Sequence, residues 1–278
     1  MPTSFKDLVA NKGLKVGHYV GEFTTPGIGY ILREAGCDFA WLDMEHSGNS
    51  FETVHRCLRY FEAAGLPSMV RIPSGTYDHV ARALDVGAEA IVVPMVGSAE
   101  MAAQVVHHMK YTPKGGRGVA LGLANDRYRS GPVVEALADA NARTAFVALI
   151  ETRAGIENVD AIAATPGVDV LWVGHFDLTC DMGIPGQFEH PDYVDARQRV
   201  AKAGKRHGKP LGRLVGDVAT GVALADDGWD LILYGGDVWV LQAAVRDGVA
   251  AIRAGAAKAA GKGKAVKGGR GGKKKKGG

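Results

Sequence analysis

Residues 145–177 read AFVALIETRAGIENVDAIAATPGVDVLWVGHFD, and this stretch decides the fold. Two almost uninterrupted apolar runs, residues 145–151 and 168–174, enclose a segment with the composition of a helix. Strands with near-continuous apolar sequence are buried on both faces, which is typical of parallel sheets covered by helices. The stretch therefore predicts a strand, a helix and a second strand parallel to the first.

The same unit repeats along the chain. Short apolar runs alternate with helix-like segments, several of which begin near Ser or Thr and end at Gly. The predicted strands are residues 14–21, 38–45, 67–72, 90–96, 145–151, 168–174, 211–216 and 231–236. Eight units of this kind favour a (β/α)8 TIM barrel over a doubly wound sheet, and we expect one such domain over residues 1–256.

One connection of that barrel is unusually long. Residues 112–143 exceed the usual length of a single link, so we expect an active-site loop with short elements of its own. The chain also lacks a Walker A pattern and a G-x-G-x-x-G between a strand and a helix. These absences argue against the main classes of nucleotide-binding protein.

The formal net charge of +3 depends on the last residues of the 278-residue chain. Residues 258–278 hold nine of the 33 basic residues, eight glycines and no acid, which leaves 24 basic against 30 acidic residues, about −6, elsewhere. We expect a disordered tail at 257–278, because its composition cannot bury enough apolar surface to offset the entropy of ordering. A nucleic-acid-associated protein is the non-enzymatic alternative, since such a tail binds phosphates non-specifically. The acidic remainder argues against specific nucleic-acid recognition.

Cysteine usage and hydropathy bear on the cellular compartment. Cys37, Cys57 and Cys180 are odd in number and form no C-x-x-C pair, which favours neither a disulfide framework nor a thiolate zinc site. No apolar run approaches the roughly 20 residues of a membrane span, and the first residues do not read as a signal peptide. We therefore expect a cytoplasmic protein with no membrane partner.

Two carboxylates follow neighbouring predicted strands. In a TIM barrel the catalytic residues follow the carboxyl ends of the strands, and adjacent strands lie roughly 5 Å apart. Glu151 and Asp177 both occupy such positions, and acids this close repel each other unless a cation lies between them. Magnesium and manganese take one or two carboxylates and leave other positions to water and substrate oxygens. We predict a divalent metal site; the alternative is that each acid caps the following helix.

The second and third predicted strands also end in polar residues. Strand two ends in Asp43, Glu45 and His46, and the spacing would let Asp43 orient the His46 imidazole and raise its basicity. Arg71 follows strand three, where a permanent cation is costly unless it faces anions; a salt bridge at the barrel rim is the alternative. No lysine occupies an inward position at a strand's carboxyl end, so Schiff-base chemistry is not favoured.

Several long motifs occur in an order typical of one family. They are FAWLDMEHSGNSFETV (39–54), VRIP (70–73), LDVGAEAIVVPMVGSAEMA (84–102), YTPKGGRGVA (111–120), LIETRAGIENVDAIAATPGVDVLWVGHFDLTCDMG (149–183) and the Gly-Gly-Asp turn at 235–237. Over about residues 5–250 the chain resembles the HpcH/HpaI family of metal-dependent class II pyruvate aldolases.

The resemblance implies a barrel of the phosphoenolpyruvate/pyruvate type. Glu151 and Asp177 would hold Mg²⁺, Mn²⁺ or Co²⁺, His46 with Asp43 would be the acid/base pair, and Arg71 would face the enolate oxygen. It also implies a homo-oligomer, a hexamer or another trimer-based assembly, in which the last barrel helix is exchanged between neighbours.

The same resemblance implies an aldehyde-lyase. The enzyme would cleave or form 4-hydroxy-2-oxo acids, with pyruvate or a close 2-oxo acid as enolate donor and an aldehyde as acceptor. Oxaloacetate decarboxylation and a lyase like the citrate lyase β group are the enzymatic alternatives.

The chain departs from the family around the substrate. Leu149 stands where many members have glutamine, His175-Phe176 replaces Pro-Ala, and Leu121 follows the GRGV motif. The residues predicted to bind substrate are Gly174, His175, Phe176 and Leu149. Fewer polar groups favour short or less polar aldehydes over long acidic ones, with His175 and Arg127 as candidates for a replacement charge.

Overall fold

The computed structural model describes residues 4–268, with side chains for residues 4–258. Eight parallel strands pair in chain order, and the last returns to the first to close a barrel. The strands are β1 (Lys15–Val20), β2 (Phe39–Asp43), β3 (Ser68–Arg71), β4 (Ala90–Val93), β5 (Ala145–Ile150), β6 (Val170–Val173), β7 (Leu211–Val215) and β8 (Leu231–Gly236). The predicted (β/α)8 TIM barrel is confirmed, and every strand lies within its predicted range.

The helices are α1 (Phe5–Ala10), α2 (Ile28–Glu34), α3 (Phe51–Ala63), α4 (Tyr77–Asp85), α5 (Ala99–Met109), α6 (Val133–Arg143), α7 (Arg153–Glu157), α8 (Val159–Ala164), α9 (His175–Asp181), α10 (Pro191–His207), α11 (Val218–Asp226) and α12 (Asp237–Gly268). Helix α1 precedes the barrel, α12 follows it in the chain, and the other helices pack around the barrel. In α3, the Ser50 hydroxyl accepts the Thr53 N–H and caps the helix. Its buried residues fall three or four apart and form the stripe that packs on the sheet.

The interior of the barrel is filled by large side chains. Trp41 and Trp172 meet across it with ring centroids 4.9 Å apart. Phe5 of α1 packs edge-on against Phe39 at 6.0 Å and belongs to the same buried cluster, whose strand residues point inward. Because the interior is packed, any substrate site must lie at an end of the barrel.

Residues 112–143 connect α5 to β5. The expected short elements are present, a 3₁₀ turn at Ala124–Asp126 and helix α6. Arg127 and Arg143 both pair with Glu89, which directly precedes β4 and so lies at the amino end of the barrel. Earlier in the segment, the Gly118 N–H donates to the hydroxyl of Tyr77, the first residue of α4, so the segment is not confined to the amino end and its expected role at the active site stays a prediction. Leu121 belongs to this segment.

The described residues divide into two compact units, one ending at Asp237 and one beginning at Val238, and the predicted domain boundary after residue 256 stays a prediction. Helix α12 continues through residues 257–268, where the composition predicts disorder. Alanine and lysine are strong helix formers, which accounts for the helical backbone. The rest of the predicted disordered tail, residues 269–278, lies outside the described residues.

Two further findings on the described residues concern the cysteines and the length and apolarity of the helices. All three cysteines are free, and burial raises the pKa of the Cys57 thiol to about 12. Among residues 4–268, no helix has both the length and the apolarity needed to cross a membrane.

Candidate active site

The carboxyl ends of β2 and β3 bring an acid and a base together. Asp43 and Arg71 are register partners on these adjacent strands. Arg71 donates from Nε to Asp43 Oδ1 at 2.5 Å, and its Nη1 lies 3.1 Å from Glu45 Oε2. The salt bridge expected as the alternative for Arg71 is thus present. Two acids fix the orientation of the guanidinium at the mouth of the barrel.

Asp43 is fully buried and accepts several hydrogen bonds. Besides Arg71, its donors include the Tyr19 hydroxyl at 2.7 Å and the His46 backbone N–H at 3.0 Å, both to Oδ2. Burial raises the pKa of Asp43, but the hydrogen bond and charge of Arg71, with the bonds from Tyr19 and His46, outweigh it and leave the pKa below its ordinary value. Asp43 is therefore ionised, and it holds Arg71, the Tyr19 hydroxyl and the His46 backbone in place.

His46 lies at the surface of this end of the barrel, with 62% of its side chain exposed. Its ring Nε2 is 3.9 Å from Glu45 Oε2. Within the described side chains, Asp43 contacts the His46 backbone N–H and not the imidazole. The expected carboxylate-to-imidazole bond is therefore not formed here, because Tyr19, Arg71 and backbone amides occupy the Asp43 oxygens.

Glu151 follows β5 and is 2% exposed. Its Oε1 accepts the backbone N–H of Met95 at 2.8 Å, and Met95 adopts a left-handed φ of 56° to present that group. A Cβ on Gly174 would lie 2.2 Å from Oε2, so only glycine leaves room for the carboxylate. Burial, and then the charges of Asp177 and Glu45, raise the pKa of Glu151 to about 8, against the lowering effects of Met95 and Arg71.

The acids at this end outnumber the bases. Asp177 is half-buried in the first turn of α9, and its charge acts on both Glu45 and Glu151. Together with Asp43 this makes four carboxyl groups near the guanidinium of Arg71. Across the described residues, no three His, Cys, Asp or Glu side chains form a ready metal cage. Two of the four, Glu151 and Asp177, have no salt bridge to Arg71 within the described side chains, and a pair of this kind fits a hard divalent cation that leaves its other positions to water and substrate.

The residues predicted to bind substrate separate into two groups. Leu149 is 2% exposed and belongs to the cluster inside the barrel, beneath the end of β5. Gly174, His175 and Phe176 lie at the start of α9, beside Asp177. Of these, Phe176 is 59% exposed and His175 is buried. The carboxyl end of the barrel is thus bordered by α9, while Leu149 forms part of its floor.

Neither His175 nor Arg127 supplies a positive charge at the carboxyl end of the barrel. Burial, followed by the charge of Arg213, lowers the pKa of His175 to about 3, so the imidazole is neutral. Arg127 is paired with Glu89 at the opposite end of the barrel. A distal carboxylate on a substrate therefore has no partner among these two residues.

Sequence reasoning missed two residues of the site. Tyr19 lies in the middle of a predicted strand, and only the inward alternation of that strand signals that its hydroxyl faces Asp43. Met95 acts through its backbone N–H, which no side-chain pattern reveals. Glu45 is visible at the end of strand two, but its closeness to Arg71 and His46 depends on the fold of the following loop.

The chain is similar to proteins of one family along most of its length. The family model described as HpcH/HpaI aldolase/citrate lyase matches residues 24–244. A 5-keto-4-deoxy-D-glucarate aldolase of Klebsiella pneumoniae is 32% identical over 245 residues, covering 88% of this chain and 94% of the relative.

Two solved structures give the same result. The HpcH/HpaI aldolase of Desulfitobacterium hafniense superposes with a TM-score of 0.85 at 32% identity, covering 90% of this chain and 97% of the other. An HpcH/HpaI aldolase/citrate lyase family protein of Burkholderia cenocepacia has a TM-score of 0.83 at 34% identity, with 90% and 99% covered. This chain is therefore an aldolase-type enzyme that belongs to the HpcH/HpaI aldolase/citrate lyase family.

Proposed function

We propose that this aldolase cleaves or forms 4-hydroxy-2-oxo acids, with pyruvate or a close 2-oxo acid as enolate donor and an aldehyde as acceptor. The observation that carries the proposal is the cluster of four carboxyl groups at the carboxyl end of the barrel, where Arg71 pairs only with Asp43 and Glu45 among the described residues. Clusters of this kind are arranged for chemistry more than for stability, since unpaired buried charge is costly.

Glu151 and Asp177 would hold a divalent metal ion, Mg²⁺, Mn²⁺ or Co²⁺. Glu151 supports this role because it is buried, and Gly174 leaves room for the carboxylate in this position. When bound, such an ion supplies positive charge that stabilises the negative charge developing on the substrate's keto oxygen. The Met95 N–H holds the other oxygen of Glu151 in place.

Arg71 is assigned to the oxygen of the 2-oxo acid that becomes negative as the C3–C4 bond breaks. Asp43 and Glu45 orient the guanidinium before substrate arrives, so little reorganisation is needed during the reaction. Asp43 itself stays ionised and positions Arg71 and the loop that carries His46.

His46 is assigned to the proton of the C4 hydroxyl. Its ring is exposed to solvent and has Glu45 as its nearest acid. In cleavage the imidazole takes the hydroxyl proton, directly or through a water, and in synthesis it returns the proton to the new alkoxide. Asp43 contributes to this step through the backbone of the loop.

Substrate contacts are assigned to Gly174, His175 and Phe176 at the start of α9, with Leu149 below them. The neutral His175 and the exposed Phe176 ring support an acceptor with few charges. We therefore propose a preference for less polar aldehydes over long acidic ones such as succinic semialdehyde.

A homo-oligomer, a hexamer or another trimer-based assembly, is part of the proposal. Helix α12 exposes apolar side chains three or four residues apart, which form a stripe along one face; they are Val238, Leu241, Val245, Val249 and Ile252. A stripe of this length is a typical protein interface. Light scattering should give a mass of three or six chains, and Leu241→Asp should lower it.

We also place the protein in the cytoplasm. Its three cysteines are free among the described residues, which fits a reducing compartment. Fractionation of cells that express the chain tests this placement.

Incubation with pyruvate, Mg²⁺ and a panel of aldehydes, followed by product analysis, tests the function. The expected products are 4-hydroxy-2-oxo acids, and the wild type should also exchange the pyruvate methyl protons in D₂O. Exhaustive chelation should stop both reactions and Mn²⁺ should restore them. Full activity after chelation, or a lysine adduct trapped by borohydride, would refute the metal-dependent mechanism.

A further inference from the structure

An exposed aromatic side chain stands immediately before one of the proposed metal carboxylates. Phe176 precedes Asp177 in the first turn of α9, and 59% of its surface is exposed. Large aromatic rings are usually buried, since each offers a large apolar surface. An open ring at this position is therefore a candidate for contact with a substrate.

The Phe176 ring rests on a fixed set of other rings. His175 lies 4.5 Å from it between ring centroids, and Phe188 lies 5.2 Å from it in an edge-on arrangement. His175 and Phe188 also touch each other at 5.0 Å, and Phe188 contacts Tyr193 of α10 at 5.9 Å. We call these four rings, His175, Phe176, Phe188 and Tyr193, the aromatic platform.

A buried cation stabilises the base of the aromatic platform. The Arg213 guanidinium of β7 lies 5.8 Å from the Phe188 ring centre and 5.6 Å from that of Tyr193, and the residue is 5% exposed. Cation–π contacts are stronger when the cation is desolvated, as it is here. Because the lower rings are held this way, the upper ring is presented to solvent with little freedom to lose on binding a ligand.

We propose that the aromatic platform binds an aromatic or bulky apolar group on the aldehyde acceptor, an inference that rests on the proposed function. The acceptor must approach the enolate near Asp177, and Phe176 precedes that residue in the first turn of α9, so we assign the acceptor's substituent to the Phe176 ring. Met95, whose backbone N–H binds Glu151, is a second apolar residue with an exposed side chain. An aromatic ring on the acceptor can stack offset or edge-on against the Phe176 ring.

The test compares benzaldehyde with glycolaldehyde as acceptors for pyruvate, with Mg²⁺ present. Phe176→Ala should lower the ratio of kcat/KM for benzaldehyde over glycolaldehyde by about tenfold. Phe176→Leu, which keeps apolar surface but loses the ring, should lower it less. Tyr30→Ala removes an equally exposed aromatic ring on α2 and should leave the ratio unchanged.

A second measurement needs neither metal nor turnover. Saturation-transfer NMR with benzyl alcohol and the chelated wild-type enzyme should give signals on the ring protons, and these should disappear in Phe176→Ala. An unchanged ratio, or signals that persist in the variant, would overturn the proposal. A change in oligomer mass without a change in the ratio would also overturn it, by assigning Phe176 to an interface between copies. Failure of the proposed function appears separately, as a wild type that exchanges no deuterium into pyruvate.

Discussion

At the amino end of the barrel, one acid, Glu89, lies between two arginines. At the carboxyl end, four carboxyl groups lie near one arginine, Arg71. Arg127 and Arg143 both pair with Glu89, so the acid at the amino end is fully compensated. At the carboxyl end, Arg71 is already engaged by Asp43 and Glu45, and further acids remain. Paired charges stabilise a fold, while a cluster of unpaired charges of one sign indicates a site where a ligand of opposite charge binds.

The largest effect should come from removing a carboxylate of the uncompensated cluster. Glu151→Gln keeps the size of the side chain but removes its charge, and should lower kcat by about 10³-fold, since a bound divalent ion contributes several kcal/mol to transition-state stabilisation. Steady-state kinetics with pyruvate and an aldehyde measure the loss. Glu157→Gln, on the exposed face of α7, is the matched control and should keep its activity. A Glu151→Gln enzyme with wild-type kcat would contradict the assignment of the catalytic site to the carboxylate cluster at the carboxyl end.

The next effect concerns proton transfer at the same end. His46→Ala should lower kcat by about 10²-fold, the usual loss for a general base, while the affinity for Mn²⁺ changes far less. Titration calorimetry with Mn²⁺ separates the two quantities. If kcat stayed near normal, another group would take the hydroxyl proton, and Glu45 would be the first to examine.

At the amino end the same kind of substitution should act on stability alone. Glu89→Gln removes the acid that Arg127 and Arg143 share, although Asp139 still pairs with Arg143, and should lower the free energy of unfolding by about 1–3 kcal/mol, because these side chains are only partly exposed. Urea titration measures the loss, and kcat of the folded variant should match that of the wild type. A loss of kcat without a loss of stability would show that the amino end takes part in the reaction.

The last effect is a dependence of stability on pH in the chelated enzyme. The pKa of Glu151 is raised to about 8 in the folded chain, so between its ordinary range and pH 8 the folded state holds a proton that the unfolded state has lost. The free energy of unfolding should therefore fall as the pH rises from 5.5 to 8. Glu151→Gln should show a shallower fall in paired urea titrations, and equal slopes would contradict the assignment.

The strands could be predicted closely because the barrel buries both of their faces, which produces continuous apolar runs such as residues 145–150. Residues 112–143 were harder, since length alone does not tell which end of the barrel a connection occupies. That information lies in long-range ion pairs such as Arg127 with Glu89. The division after residue 237 also has no mark in composition.

At the site, sequence reasoning identified residues whose positions follow from strand ends. Glu151, Asp177 and Arg71 lie near one another because the strands that carry or precede them all end at the same mouth of the barrel. The hydrogen bonds from Tyr19 and the loop amides to Asp43 could not be predicted, since these groups reach Asp43 only in the folded chain. The left-handed backbone of Met95 leaves no trace in composition, because it is a methionine and not a glycine.

The absence of a Cβ at Gly174 has a consequence for the interpretation of related sequences. Any Cβ at this position would collide with the Glu151 carboxylate. A side chain at residue 174 therefore cannot coexist with the glutamate in its present place. In a related sequence, a residue other than glycine at this position would indicate that the glutamate is held differently.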